Sequence, residues 1–250
     1  MLWTLTSLFT VSVTAGAPYL RRATVLGVPD VLVSDEHFEI WDGAHVISSG
    51  NSSQECNWQK YRVNGKEQDI CLHHVELDQY VSGGISTKGF WRDCVSLVEI
   101  FGNHSNNSPP DGIYLDAGAN IGSCVLHMLM ATSARIFAFE PNAANLFCLT
   151  STLLQLGESL RRRVALFPIG LGDKNYDDVL YASTMNKGHS IVSVATRERF
   201  DPRNAEQSVA AGFDVSRIIV RTLNVIFGSP PPVQLMKMDV QGFECKILQG

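Results

Sequence analysis

"IYLDAGANIG", residues 113–122, is the stretch that decides the fold. An apolar run ends at the carboxylate of Asp116. Gly118 and Gly122 then bracket a turn into a helix expected over about 121–132. Glycine tolerates positive φ and lets a ligand come close to the backbone. In open α/β sheets, ligands bind beyond the carboxyl ends of the strands, where this turn lies. A dinucleotide fingerprint, G-x-G-x-x-G, asks for glycine at position 120, and the residue there is Asn120. That side chain, with a carboxylate two residues before the first glycine, disfavours a polyanion. A zwitterionic, cationic ligand suits the turn better.

Downstream, apolar strands alternate with helical patterns. RIFAFE (135–140) leads into a helix over about 142–157, and VALFPIG (164–170) into a long loop from 172 to about 216. IIVRTLNVI (218–226) and QLMKMDV (234–240) are the remaining expected strands. This alternation predicts an α/β fold, a doubly wound, mostly parallel Rossmann-like sheet with helices on both faces. Glu140 ends the second strand, where an acidic residue accepts both ribose hydroxyls of a nucleoside. Pro141 fits the first turn of the next helix, where a missing N–H costs nothing.

Upstream the pattern is less regular. Residues 18–108 read as a mixed N-terminal extension or cap, with short strands to about 75 and a helix from Trp91 to Phe101. The loop GNHSNNSPPDG separates it from the domain expected over 109–250.

The 250 residues are 45% hydrophobic and 18% charged, ordinary globular usage. A net charge of −5 leaves no global basic field to recruit nucleic acid. Residues 1–17 carry a short apolar stretch ending in Ala15-Gly16-Ala17, read as a signal peptide although the first residues lack Lys and Arg. That stretch is shorter than the ~18–20 residues of a membrane span. Sequons stand at Asn51, Asn103 and Asn106. Cys56 and Cys71 are placed to close a small loop in an oxidising compartment. Together these favour the secretory pathway, as a glycoprotein of the ER or Golgi lumen or a secreted one, with a cytoplasmic location as the alternative. No Cys/His spacing suits zinc, so no metal site is expected.

D-x-G-A-N-x-G at 116–122, F-E-P at 139–141 and K-x-D-V-x-G-F-E at 237–244 together resemble the FkbM-type family of S-adenosylmethionine-dependent methyltransferases. The resemblance covers roughly 110–250, and LDQYVSGGISTKGFW just upstream resembles the lead-in of eukaryotic relatives. It implies a class I methyltransferase fold, S-adenosylmethionine as the donor and O-methylation of a hydroxyl on a sugar or other small or glycan acceptor. Carried over, Asp116, Gly118, Asn120 and Gly122 would hold the methionine half of the cofactor. Glu140 would take the ribose, with Asn142 and Asn145 nearby, and Leu171 and Asp173 would line the adenine edge. A complete fold of this class continues with further strands, so the domain is expected to be incomplete at its C-terminus.

The sulfonium already activates its methyl group, so in-line placement of an acceptor oxygen does most of the work. The acceptor hydroxyl still needs its proton taken. Asp239 is the first candidate for that role. His189 is the second, because MNKGHSIVS resembles the family's substrate-side N-x-G-x-S segment. Two departures stand out: Gln241 where relatives commonly carry glutamate, and Asn224 where T-L-D is frequent. They motivate an alternative, a methyltransferase-fold protein that binds without turnover. A nicotinamide-dependent oxidoreductase is disfavoured by Asn120.

Overall fold

The chain enters through short strands, β1 (Leu20–Arg22) and β2 (Glu39–Trp41), which pair antiparallel. A regular hairpin follows, β3 (Asn57–Val63) and β4 (Lys66–Leu72). Its turn is Asn64-Gly65, with φ of 49° and 76°, the two positive values that a tight hairpin turn requires. A disulfide joins Cys56 to Cys71, the pairing that the sequence reading considered. The computed structural model describes residues 20–22, 38–48, 54–104, 112–184, 186–187, 190–192, 212–227 and 231–250. The signal peptide reading, the sequons at Asn51 and Asn106, the side chain of Asn103, and His189 lie outside these described residues.

Two helices come next, α1 (Val81–Lys88) and α2 (Arg92–His104). The expected helix from Trp91 is α2; α1 escaped notice because it carries Gly83 and Gly84, each costing ~1 kcal/mol against alanine in a helix interior. Packing explains Gly84. A Cβ there would stand 2.7 Å from the Trp91 ring.

The central sheet holds β5 (Ile113–Ala117), β6 (Arg135–Phe139), β7 (Val164–Phe167) and β12 (Val233–Met238), in spatial order β12-β5-β6-β7 and all parallel. Three connections explain this order. From β5 the chain steps through α3 (Ser123–Ala131) to β6, then through α4 (Ala143–Gln155) and the short α5 (Glu158–Arg161) to β7. It returns on the other side of β5 as β12, so a topological switch point lies between β5 and β12.

Both faces of this sheet are apolar, as parallel strands require. Tyr114, Ile136, Ala138 and Leu166 face α3, α4 and the β3–β4 hairpin in one continuous core. Ile113, Leu115, Phe137, Phe139 and Phe167 face the other way, against Phe38, Ile40 and two short helices, α6 (Leu223–Phe227) and α7 (Glu244–Ile247). Phe139 and Phe167 stack with ring centroids 4.7 Å apart. Burying each such ring contributes ~1.5–3 kcal/mol.

The hairpin and the segment before it are tied to the sheet's helices by polar contacts as well. Cys71 N donates to Thr152 Oγ1 at 2.9 Å, and Ile47 N to Thr150 Oγ1 at 3.0 Å. The Tyr61 hydroxyl meets His127 Nδ1 at 3.1 Å. A second disulfide, Cys94–Cys124, bolts α2 to the first turn of α3. No sequence spacing signalled that pair.

The long loop expected from 172 to about 216 is a correction. It contains β9 (Tyr176–Ser183) and β10 (Ser190–Val192), which join β11 (Phe213–Arg221) and the two-residue β8 (Gly170–Leu171) in a second sheet, ordered β10-β9-β11-β8. Asp177 and Asp178 hid the apolar pattern of β9, yet Asp177 sits 3.8 Å from Arg221 of the neighbouring strand. The strand expected over 218–226 is likewise corrected. It begins earlier, at Phe213, and gives way after Arg221 to α6.

Burial holds the His127 imidazole well below its ordinary value, at about 4. A depressed histidine stabilises the fold above its unfolded pKa, and that contribution is lost as pH falls from about 6.5 towards 4. Urea denaturation across this window is expected to show stability rising with pH, with a shallower slope in His127→Gln.

Candidate active site

The site grows from the ion pair at the switch point. Lys237 of β12 lies directly opposite Asp116 of β5 in the parallel register. Its Nζ donates to Asp116 Oδ1 at 2.8 Å and to the carbonyl of Gly118 at 2.9 Å. Asp116 is fully buried. Burial pushes its carboxyl up, and the Lys237 ammonium works against that. Burial would pull Lys237 down, but the carboxylates of Asp116, Asp239 and Glu140 outweigh it and hold its pKa above the ordinary range. The 2.8 Å contact anchors Asp116 in the floor. Lys237 stands in the K-x-D-V-x-G-F-E motif, and a charged residue inside an apolar strand is the signal the sequence carries for it.

The glycine turn rises from this floor. Gly118 has φ of 80°, and a Cβ there would stand 2.1 Å from the Asp239 carbonyl oxygen. Only glycine lets β5 and the end of β12 approach so closely. Asn120 also takes positive φ, 54°. Its N–H donates to Glu140 Oε2 at 2.7 Å, while its own Oδ1 accepts from Ile121 N at 2.7 Å. Gly122 precedes α3 with φ of 83° and packs under Leu149.

Glu140 is 4% exposed and still lines the cleft. Oε1 accepts from Asn142 N at 2.9 Å and from Asn145 Nδ2 at 3.4 Å. Burial raises its carboxyl, and the N–H groups of Asn142 and Asn120 oppose that rise.

The cleft beyond the sheet encloses about 630 Å³ of space, part of it open to solvent. Gly118, Asn120, Glu140, Asn145, Leu171 and Asp239, all singled out from sequence, converge on it. Phe139, Ile169, Leu180 and Phe243 give it an apolar wall, and Ser190 and Gln241 add polar groups. Leu180 and Ser190 come from β9 and β10, so the segment read as a loop supplies part of the wall.

Other candidates sit elsewhere. Asn142 caps α4, accepting from Ala144 N at 2.9 Å, and its Nδ2 donates to Ser190 Oγ at 2.8 Å. Asp173 lines a separate surface groove with Asp177, Asp178 and Lys246. Asn224 is exposed on α6. Glu244 folds the turn after β12, accepting from Val240 N and Gly242 N, each at 3.1 Å. Burial works against ionisation there, but its own N–H and those of Val240 and Gly242 prevail and hold its carboxyl below the ordinary range.

Asp239 is exposed at the mouth of the cleft, and its Oδ1 accepts from Gln241 Nε2 at 3.1 Å. The glutamine that replaces the family's glutamate therefore donates to the neighbouring carboxylate, where a second carboxylate would repel it. No group of three His, Cys, Asp or Glu residues suited to a metal occurs among the described residues.

A cleft at the switch point of a parallel α/β sheet, with a glycine turn and an acidic residue one strand over, is the arrangement of a Rossmann-like fold. Residues 116–250 match the methyltransferase FkbM domain, and the chain belongs to that family. No curated protein matches it.

Replacing Lys237 tests the floor. Lys237→Met strands a buried carboxylate and is expected to cost about 3–5 kcal/mol. Adding Asp116→Asn to that variant should recover much of the loss, as read by denaturant unfolding.

Proposed function

We propose that the protein is an S-adenosylmethionine-dependent O-methyltransferase acting on a hydroxyl of a sugar or other small or glycan acceptor. The observation that carries this reading is the placement of Glu140 and Asp239 on opposite sides of one cleft, with Asp116 already neutralised by Lys237. Two carboxylates remain to face a ligand that carries a sulfonium and an ammonium. The residues also fit the cofactor's shape. Gly118 leaves the backbone bare beside the floor, Glu140 stands where ribose hydroxyls bind, and Ile169, Leu171 and Phe243 offer an apolar slot for a purine.

The bound donor would supply a methyl group already activated for displacement. The chain's own part is to place the acceptor and move one proton. Gln241 holds Oδ1 of Asp239, which leaves Oδ2 to accept the acceptor's hydroxyl proton. Family membership supports the methyltransferase class; the donor, the O-specificity and the acceptor rest on this reading. The same reading puts the chain in the secretory pathway. Two disulfides, Cys56–Cys71 and Cys94–Cys124, support that location, because such bonds persist in oxidising compartments. Among the described residues no helix is long and apolar enough to cross a membrane.

Calorimetric titration with S-adenosylmethionine, its demethylated product and NAD tests the donor. Binding of the first two and not of NAD is expected, and tight NAD binding alone would refute the reading. Glu140→Ala should weaken donor binding by ~1–3 kcal/mol, the cost of a charge-assisted hydrogen bond. Mass spectrometry of a glycan and alcohol panel with labelled donor tests transfer. With an accepted substrate, Asp239→Asn should lower kcat by ~10²-fold or more. Donor binding without transfer to any hydroxyl would favour a binding protein instead.

A further inference from the structure

A buried polar chain runs behind the cleft, and methyl transfer as described makes no use of its far end. His73 follows β4, in the segment that precedes the matched family region, and is 5% exposed. Its Nε2 lies 3.0 Å from Asn145 Oδ1. Asn145 Nδ2 in turn lies 3.4 Å from Glu140 Oε1. On the other side of the ring, Nδ1 faces the free thiol of Cys148 at 3.6 Å.

The chain has only one consistent direction. A carboxylate accepts and never donates, so Asn145 must turn its NH₂ towards Glu140. Its carbonyl oxygen then faces His73 and can only accept, which puts the ring proton on Nε2. Nδ1 is left as a lone pair, and the Cys148 S–H is the donor beside it. Burial lowers the His73 imidazole and raises the Cys148 thiol, so both groups are neutral, as this direction demands. The His73 backbone is fixed too. Its N–H donates to Ser82 Oγ at 3.2 Å, and that hydroxyl donates to Asp78 Oδ2 at 2.7 Å.

We infer that His73 is a positioning residue for the cofactor cleft: through Asn145 it fixes the Glu140 carboxylate in the orientation that receives the ligand. A glutamate has several rotatable bonds, and holding it before the ligand arrives removes an ordering cost from binding. The inference rests on the reading of Glu140 as a ribose ligand. It goes further by giving the segment outside the matched region a role in the site.

The test uses the whole chain and two readouts. By calorimetry, His73→Phe, which keeps a ring but has no N–H, should weaken S-adenosylmethionine binding about tenfold. His73→Gln, which restores an N–H near Nε2, should recover most of that affinity. His73→Phe added to Asn145→Ala should cost little beyond Asn145→Ala alone, because the two act through one path. Unchanged binding in His73→Phe, or a full additional loss in the double variant, overturns the inference. The second readout needs no ligand. Imidazole ¹⁵N spectra of the native protein should show Nε2 protonated and Nδ1 bare, and the opposite tautomer overturns the inference even if His73→Phe does not fold. If the native protein binds no S-adenosylmethionine, the donor reading fails, and the tautomer then decides the chain by itself.

Discussion

The ammonium of Lys237 reaches the buried carboxylate of Asp116 across two neighbouring parallel strands, and the cleft is organised around that contact. A buried ion pair adds little net stability, because desolvation consumes most of its attraction. Its value here is registry. The pair sits where the strand order reverses, and Lys237 spends a second hydrogen bond on the Gly118 carbonyl. A slip of one residue would turn every side chain of β12 to the wrong face. With the register fixed, the Asp239 carbonyl packs against Gly118, and the Asp239 side chain arrives at the mouth of the cleft.

Charge placement follows from the same contact. Three carboxylates meet near the strand ends, and the protein handles each differently. Asp116 is cancelled in the floor, Glu140 is bridled by backbone N–H groups, and Asp239 is left exposed with one amide donor. The cleft thereby keeps negative character at its mouth without stacking like charges where none can be relieved.

Much of this was legible in the sequence. The apolar runs ending in Asp116, Glu140 and Asp239 are strand signals and site signals at once, because parallel strands are buried on both faces and end at the ligand. What stayed hidden was hidden for physical reasons. β9 opens with two adjacent aspartates that break its apolar alternation, and the strand's partner, β11, lies far along the chain. The two glycines of α1 read as a break until Trp91 is seen lying against Gly84. Asp173 and Asn142 bear side chains of the right kind near the right turns. Yet one faces a different groove and the other is spent on capping α4. Side-chain direction, which composition does not encode, separates those cases.

The matched region begins at Asp116, while β5 begins at Ile113 and its apolar face packs into a core that reaches back to Trp41. A boundary drawn by similarity therefore cuts through the middle of a strand. A fragment trimmed to residues 116–250 would lose Ile113, Tyr114 and Leu115 from β5, the hairpin that covers α3 and α4, and the partner of Cys124. It would expose a broad greasy surface and an unpaired thiol together, which is a recipe for inclusion bodies in a production host. Biochemistry on this family member is best begun from the entire chain.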